Sequence, residues 1–160
     1  MITTAQLAEA FGRNLTILQR QADGLTHADS LLQPPLRGNC LNWVLGHLAN
    51  NRDAILRALG TAPVTGEAAA RYKRESEPIT ADGPDVLPLE ELLRLLAASQ
   101  EPLAAALSRA TPDDLAREWQ VGQRATTVGA WVFFLYFHET YHVGQTELLR
   151  QLAGADDKII

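Results

Sequence analysis

Residues Val128 to Leu152 read VGAWVFFLYFHETYHVGQTELLRQL, and two of the chain's four histidines, His138 and His142, lie in the most apolar part of it. On a helix, residues four apart share a face, one turn above the other. With His138 at zero degrees, steps of about 100 degrees place Trp131, Phe134, Leu135, His142, Gln145, Leu149 and Leu152 within about 60 degrees of it. Both imidazoles are therefore expected on the stripe that this helix turns toward its core.

The rest of the chain is read outward from that helix. A length of 160 residues with 46% hydrophobic content suits one domain, 1–160, with a real core. The lone Cys40 excludes an internal disulfide and fits a reducing compartment. The opening MITTAQLAEAFGRN lacks a basic stretch followed by an apolar run, so no signal peptide is expected. The longest apolar run, 128–137, is too short to span a bilayer. A net charge of -5 with no basic stripe argues against nucleic acid as a partner. A cytoplasmic protein bound to neither membrane nor nucleic acid is the expectation.

Leu7, Phe11, Leu15, Leu18, Ala22 and Leu25 recur at helical spacing, with Thr3 or Thr4 to cap the start and Gly24 near the end. THADSLLQPPLRGN, which contains His27, reads as a loop, and His27 as an exposed loop residue. A second helix is expected over 39–60, with Asn39 as cap, Gly60 as stop and Leu41, Val44, Leu45, Leu48, Ile55 and Leu59 as its apolar stripe. His47 sits at one flank of that stripe, in line with Trp43, Asn50, Asn51 and Ala54. Cys40 begins the helix, too far along the axis to share a metal with His47, and reads best as a small buried residue. Residues 61–87 are long for a loop and either cross the bundle or hold a short helical piece at 67–74. A third helix starts near Pro88 and should be kinked by Pro102. Thr111 caps a brief turn, and the polar stretch REWQVGQRAT leads into the final helix. Four helices with no convincing strand imply an all-α four-helix bundle, with a long crossover between helices two and three.

The chemistry depends on whether the three helical histidines meet. Three imidazoles with an open position form a common catalytic arrangement for a divalent transition metal. Spacing alone leaves a second reading open, in which core histidines are satisfied by neighbouring Tyr, Asn or Gln side chains. Gly46 and Gly144 flank the histidines, and each costs about 1 kcal/mol against alanine inside a helix. Close helix–helix approach beside the site would compensate. HETYH also fits H-E-x-x-H, where the glutamate is the general base of a zinc protease. Only 18 residues follow His142, no third histidine appears in VGQTEL, and no strand-rich segment precedes the motif, so a protease is not expected. Glu139 still lies about 60 degrees round the helix from His142. It reads either as an acid near a metal-bound water, with a catalytic role, or as a solvated surface acid.

The motifs LNWVLGHLA, H-x-x-x-H followed by VGQ, and LLRQLAG, in this order and separation, resemble the DinB/YfiT-like metalloenzymes (the DinB superfamily) nearly end to end. That resemblance implies an up-down-down-up four-helix bundle, often paired into homodimers. It also implies three histidine ligands, which fall on His47, His138 and His142. Some relatives are thiol S-transferases using bacillithiol or mycothiol, and one branch is a mycothiol-dependent maleylpyruvate isomerase. The resemblance thus points to a metal that binds a thiol and presents a thiolate to a small-molecule substrate. Zinc or nickel heads the candidate metals, with iron or manganese next. Gln145, Asn51 and Tyr141 are expected around the ligands by helical spacing. The alternatives are a metal hydrolase using a metal-bound water and a non-catalytic, metal-stabilised stress-response module. Val132, Phe133, Tyr136 and Phe137 make the last helix apolar beyond its core stripe, which predicts a homodimer through this helix or its neighbourhood.

Overall fold

Thr3 starts the first helix by a reciprocal cap: its hydroxyl accepts the Gln6 N–H at 3.1 Å while Gln6 Oε1 accepts the Thr3 N–H at 2.9 Å. The computed structural model describes residues 2–35 and 37–159. Helix α1 spans Thr4–Ala22, and Gly24 takes the positive φ of +76° that ends it. The next segment, expected as a loop, contains a one-turn helix α2, His27–Ser30, because Thr26 and Asp29 form the same kind of cap. His27 is engaged rather than free: its Nδ1 accepts the Leu89 N–H at 3.2 Å, and its Nε2 lies 3.3 Å from Asp82.

Helix α3 spans Leu41–Ala58, starting one residue later than expected, with Cys40 rather than Asn39 as its cap. The long connection carries a 3-10 helix over Gly66–Tyr72, the helical piece considered from the sequence. Asp53 of α3 anchors its approach by accepting the backbone N–H groups of Val64 at 2.7 Å and Thr65 at 3.1 Å. Helix α4, Leu89–Arg109, continues through Pro102. Its buried stripe continues through Leu96, Ser99, Leu103 and Leu107, and that packing outweighs the missing N–H.

Helix α5, Pro112–Ala116, is capped by Thr111 as anticipated. The stretch read as a polar link is in fact a hairpin of β1, Glu118–Val121, and β2, Arg124–Thr127, paired antiparallel from Glu118↔Thr127 to Val121↔Arg124. Gly122, at φ +59°, supplies the first position of its two-residue turn. Strands of four residues are too short to show a period in sequence. Helix α6 then spans Val128–Leu152. Among the described residues, no helix is long and apolar enough to cross a membrane.

Helices α1 and α3 each pack on both α4 and α6. The core falls into two clusters. One joins Leu15 and Leu18, the first half of α3, Leu92 to Leu96 and Val143. The other joins Leu7 and Phe11, Ile55 and Leu56, Leu103 and Leu107, and Val132 and Leu135. Between them, each long helix contributes a buried polar residue: Asn14, Arg52, Ser99 and Glu139.

The buried face of α6 differs from the one expected. Val132, Leu135, Glu139, Val143, Thr146 and Leu149 point into the core, whereas Phe134 is 48% exposed and His138 and His142 lie half-buried at the flank. A helix that is apolar on nearly every side gives no hydrophobic contrast to fix its rotation. Its rotation places Glu139 against Arg52.

Candidate metal centre

Helix α3 brings His47 to the flank where α6 presents His138 and His142. One ligand-capable atom from each of the three residues lies within 4.8 Å of the others. The rings meet edge to face, with centroids 5.2 Å apart for His47 and His138, 5.5 Å for His47 and His142, and 4.5 Å for His138 and His142. The i, i+4 spacing on α6 produces the last contact, and the packing of α3 on α6 produces the other two.

Hydrogen bonds fix the ring nitrogens. His47 Nδ1 lies 3.0 Å from the Tyr72 carbonyl oxygen. A carbonyl only accepts, so Nδ1 carries the proton and Nε2 of the neutral ring keeps its lone pair. His142 Nδ1 donates in the same way to Gln145 Oε1 at 2.9 Å. The Asn51 amide nitrogen donates to His47 Nε2 at 3.2 Å and to His138 Nδ1 at 3.3 Å, so His138 Nδ1 also carries a lone pair. Tyr141 sets its ring edge-on to His142 at 5.6 Å. Asn51, Gln145 and Tyr141 thus all touch the histidines, the first two through hydrogen bonds and the third through its ring.

Burial is the main force holding all three imidazoles neutral. His47 is lowered from 6.5 by desolvation, with smaller effects of His142 and Arg74. His138 is lowered to about 4 by desolvation and by the neighbouring His142, His47 and Arg74. His142 is lowered by desolvation, partly offset by its bond to Gln145. Neutral imidazole is the form that ligates a metal.

This donor set suits a divalent transition ion. Ligand nitrogens about 2.1 Å from a tetrahedral ion lie about 3.4 Å apart, within the 4.8 Å limit of the cluster. Acceptors on the far nitrogens of His47 and His142 are the oxygen partners that orient metal-binding imidazoles.

The sequence did not reveal what supports His47. Trp43 stacks on its ring at 4.6 Å, and the Trp43 indole N–H donates to Ser76 Oγ at 3.0 Å. Tyr72, whose carbonyl holds Nδ1, is itself held by its hydroxyl, which donates to Asn42 Oδ1 at 3.0 Å and accepts the Leu87 N–H at 2.8 Å. A Cβ on Gly46 would fall 2.2 Å from the Tyr72 ring. The Gly46 cost is therefore offset by ring packing of the connecting segment, not by the helix–helix approach expected. A Cβ on Gly144 would meet nothing, so no close approach explains that glycine within the chain.

Glu139 is not the solvated surface acid considered above. Its side chain is 2% exposed, and both oxygens accept from the fully buried Arg52, at 2.9 Å from Nε and 2.8 Å from Nη2. Its carboxylate is not among the groups that cluster with the histidines. Cys40 is buried and its thiol pushed up by burial, the opposite of a reactive thiolate.

A mostly helical fold with three converging neutral imidazoles defines a candidate metal-binding helical protein. The chain belongs to the DinB superfamily, whose sequence pattern matches residues 10–146. None of the curated proteins matches it significantly. Among solved structures, it is similar to a conserved protein from Enterococcus faecalis, with a TM-score of 0.74 and 17% identity over 96% of this chain and 98% of that one. It is also similar to the mycothiol-dependent maleylpyruvate isomerase, with a TM-score of 0.60 and 16% identity over 90% of this chain. The match spans 62% of the isomerase chain. A mutant of that isomerase aligns equally well, with a TM-score of 0.61.

Proposed function

We propose that this protein is a metal-dependent thiol S-transferase, in which His47, His138 and His142 hold a divalent ion, zinc or nickel first, and a low-molecular-weight thiol such as bacillithiol or mycothiol is the cosubstrate. The observation that carries this reading is the convergence of three neutral imidazoles, two of them with Nδ1 bonded to oxygen acceptors. A divalent ion held there supplies Lewis acidity that lowers the pKa of a bound thiol. The chain's own residues do the rest. Tyr72 and Gln145 hold the tautomers of His47 and His142. Asn51 offers its amide beside the ligand atoms, Trp43 stacks on the His47 ring and Tyr141 sets its ring edge-on to His142.

The hydrolase reading weakens where it depends on Glu139, because both of that residue's oxygens are taken by Arg52. The up-down-down-up path belongs to the same proposal. It is supported by the way the halves of the helices share the two core clusters: the second half of α1 joins the first halves of α3 and α4 and the second half of α6. A homodimer is proposed on the exposed face of α6 formed by Phe133, Phe137, Tyr141, Leu148 and Leu152, which also holds Gly144. A cytoplasmic setting, where small thiols stay reduced, suits the unpaired Cys40.

The test is transfer of a small thiol to a fluorogenic electrophile by metal-loaded and chelator-treated protein. The reading expects acceleration that needs both metal and thiol. Turnover without thiol would favour a hydrolase, and no turnover of either kind would favour a structural metal.

A further inference from the structure

Asn51 and His47 stand one turn apart on α3, and His138 faces them from α6. The Arg52–Glu139 ion pair, the next residue along each helix, fixes the separation of Asn51 from His138. A single atom, the Asn51 amide nitrogen, lies 3.2 Å from His47 Nε2 and 3.3 Å from His138 Nδ1. The Tyr72 carbonyl keeps the His47 proton on Nδ1, so Nε2 can only accept. Its partner must therefore be the donor end of the amide, the nitrogen, and not the oxygen.

A neutral imidazole has one lone pair, in the ring plane, on its unprotonated nitrogen. For His47 and His138 that lone pair goes to the same amide, although the two rings come from different helices. A metal ion would approach each ring along the direction that the amide hydrogen now takes, so ion and N–H exclude each other. An N–H group cannot face a cation either. The two ends of an asparagine amide have the same shape and opposite roles. A half-turn about its last bond puts Oδ1 where Nδ2 stood, with no change in the helix.

We propose that Asn51 is a metal-responsive fourth donor of the centre: its nitrogen takes the place of the ion in metal-free protein, and its oxygen turns to the ion in loaded protein. Side-chain amide oxygens serve divalent ions as neutral ligands. In metal-free protein the amide keeps rings from two helices converged, which lowers the ordering cost of binding. The inference adds a residue to the site proposed above and rests on that reading for the metal alone.

Isotope-labelled full chain is freed of metal with a chelator, and the Asn51 side-chain amide is followed by NMR as zinc is added to one ion per chain. Without metal, its hydrogens should show nuclear Overhauser contacts to both His47 and His138. With zinc, both contacts should weaken and the amide signals should move together with those of the histidines. Chelator competition should find Asn51→Leu weaker in zinc affinity by about tenfold, with an altered visible spectrum in its cobalt form. Asn51→Asp keeps an oxygen and adds charge, so it should bind at least as tightly as wild type. An amide that stays unmoved while zinc shifts the histidine signals overturns the proposal and leaves the metal reading intact. So does Asn51→Leu with the affinity and the cobalt spectrum of wild type. Wild-type protein that binds neither zinc nor cobalt overturns the metal reading and this proposal together.

Discussion

Arg52 and Glu139 form a two-point ion pair in the middle of the protein, one residue along α3 from Asn51 and one along α6 from His138. The remaining donors of Arg52 reach the Phe11 carbonyl at 3.0 Å on α1, and Leu96, Ser99 and Gln100 on α4. One guanidinium therefore ties together all four long helices. It also sets the rotation of α6 that leaves His138 and His142 facing His47.

Removing one partner leaves a buried charge uncompensated. Glu139→Gln is predicted to destabilise the protein by about 3 to 5 kcal/mol, and Arg52→Met/Glu139→Leu by less than either single change. Urea denaturation of Glu139→Gln, Arg52→Met, Glu139→Leu and the double variant checks this. A Glu139→Gln protein as stable as wild type would show that the pair does not organise the core.

Gly46 and Gly144 should behave in opposite ways. Gly46→Ala forces a methyl into the Tyr72 ring, displacing the carbonyl that holds His47. It is predicted to cost about 1 to 3 kcal/mol from overpacking and to weaken metal affinity about tenfold. Gly144→Ala meets open space and should raise helix stability by up to about 1 kcal/mol. Thermal melts and competition with a metal chelator measure both.

Stability of the metal-free protein is predicted to fall as pH drops from 6.5 toward 4. His138 is held down to about 4, and His47 and His142 are held below 6.5, so over that window the unfolded chain binds protons that the folded chain refuses. Above 6.5 all three are neutral in both states and their contribution is complete. Imidazole proton shifts in metal-free protein give the titration directly. A midpoint for His138 near 6.5 would contradict the buried, mutually repelling arrangement.

The exposed face of α6 predicts self-association. Light scattering at micromolar concentration should give twice the chain mass, and Phe137→Glu should return the protein to a monomer with unchanged metal content. A monomeric wild type rules the interface out.

The helices and the three histidines could be read directly, because apolar periodicity and capping residues are local signals. The facing of α6 could not. Phe133, Phe134 and Phe137 are as hydrophobic as Val132 and Leu135, yet they are exposed while the two aliphatic residues are buried. Two charges did hold the answer: Arg52 falls in line with Leu45, Leu48 and Ile55, and Glu139 in line with Val132, Leu135 and Val143. A charge on each apolar stripe demands a partner, and each is the other's. The Tyr72 carbonyl and the Trp43 stack were hidden for a different reason. They depend on how residues 61–87 fold back on α3, a tertiary contact with no period to reveal it. The hairpin before α6 was missed because its strands are only four residues long.

The central claim is that three imidazoles hold one metal ion, and elemental analysis of untagged protein against His138→Ala tests it most directly. The structure predicts close to one divalent transition ion per wild-type chain and a large loss in the variant, with the helical content of both unchanged. Wild-type protein that stays metal-free after supplementation with zinc and nickel would contradict it.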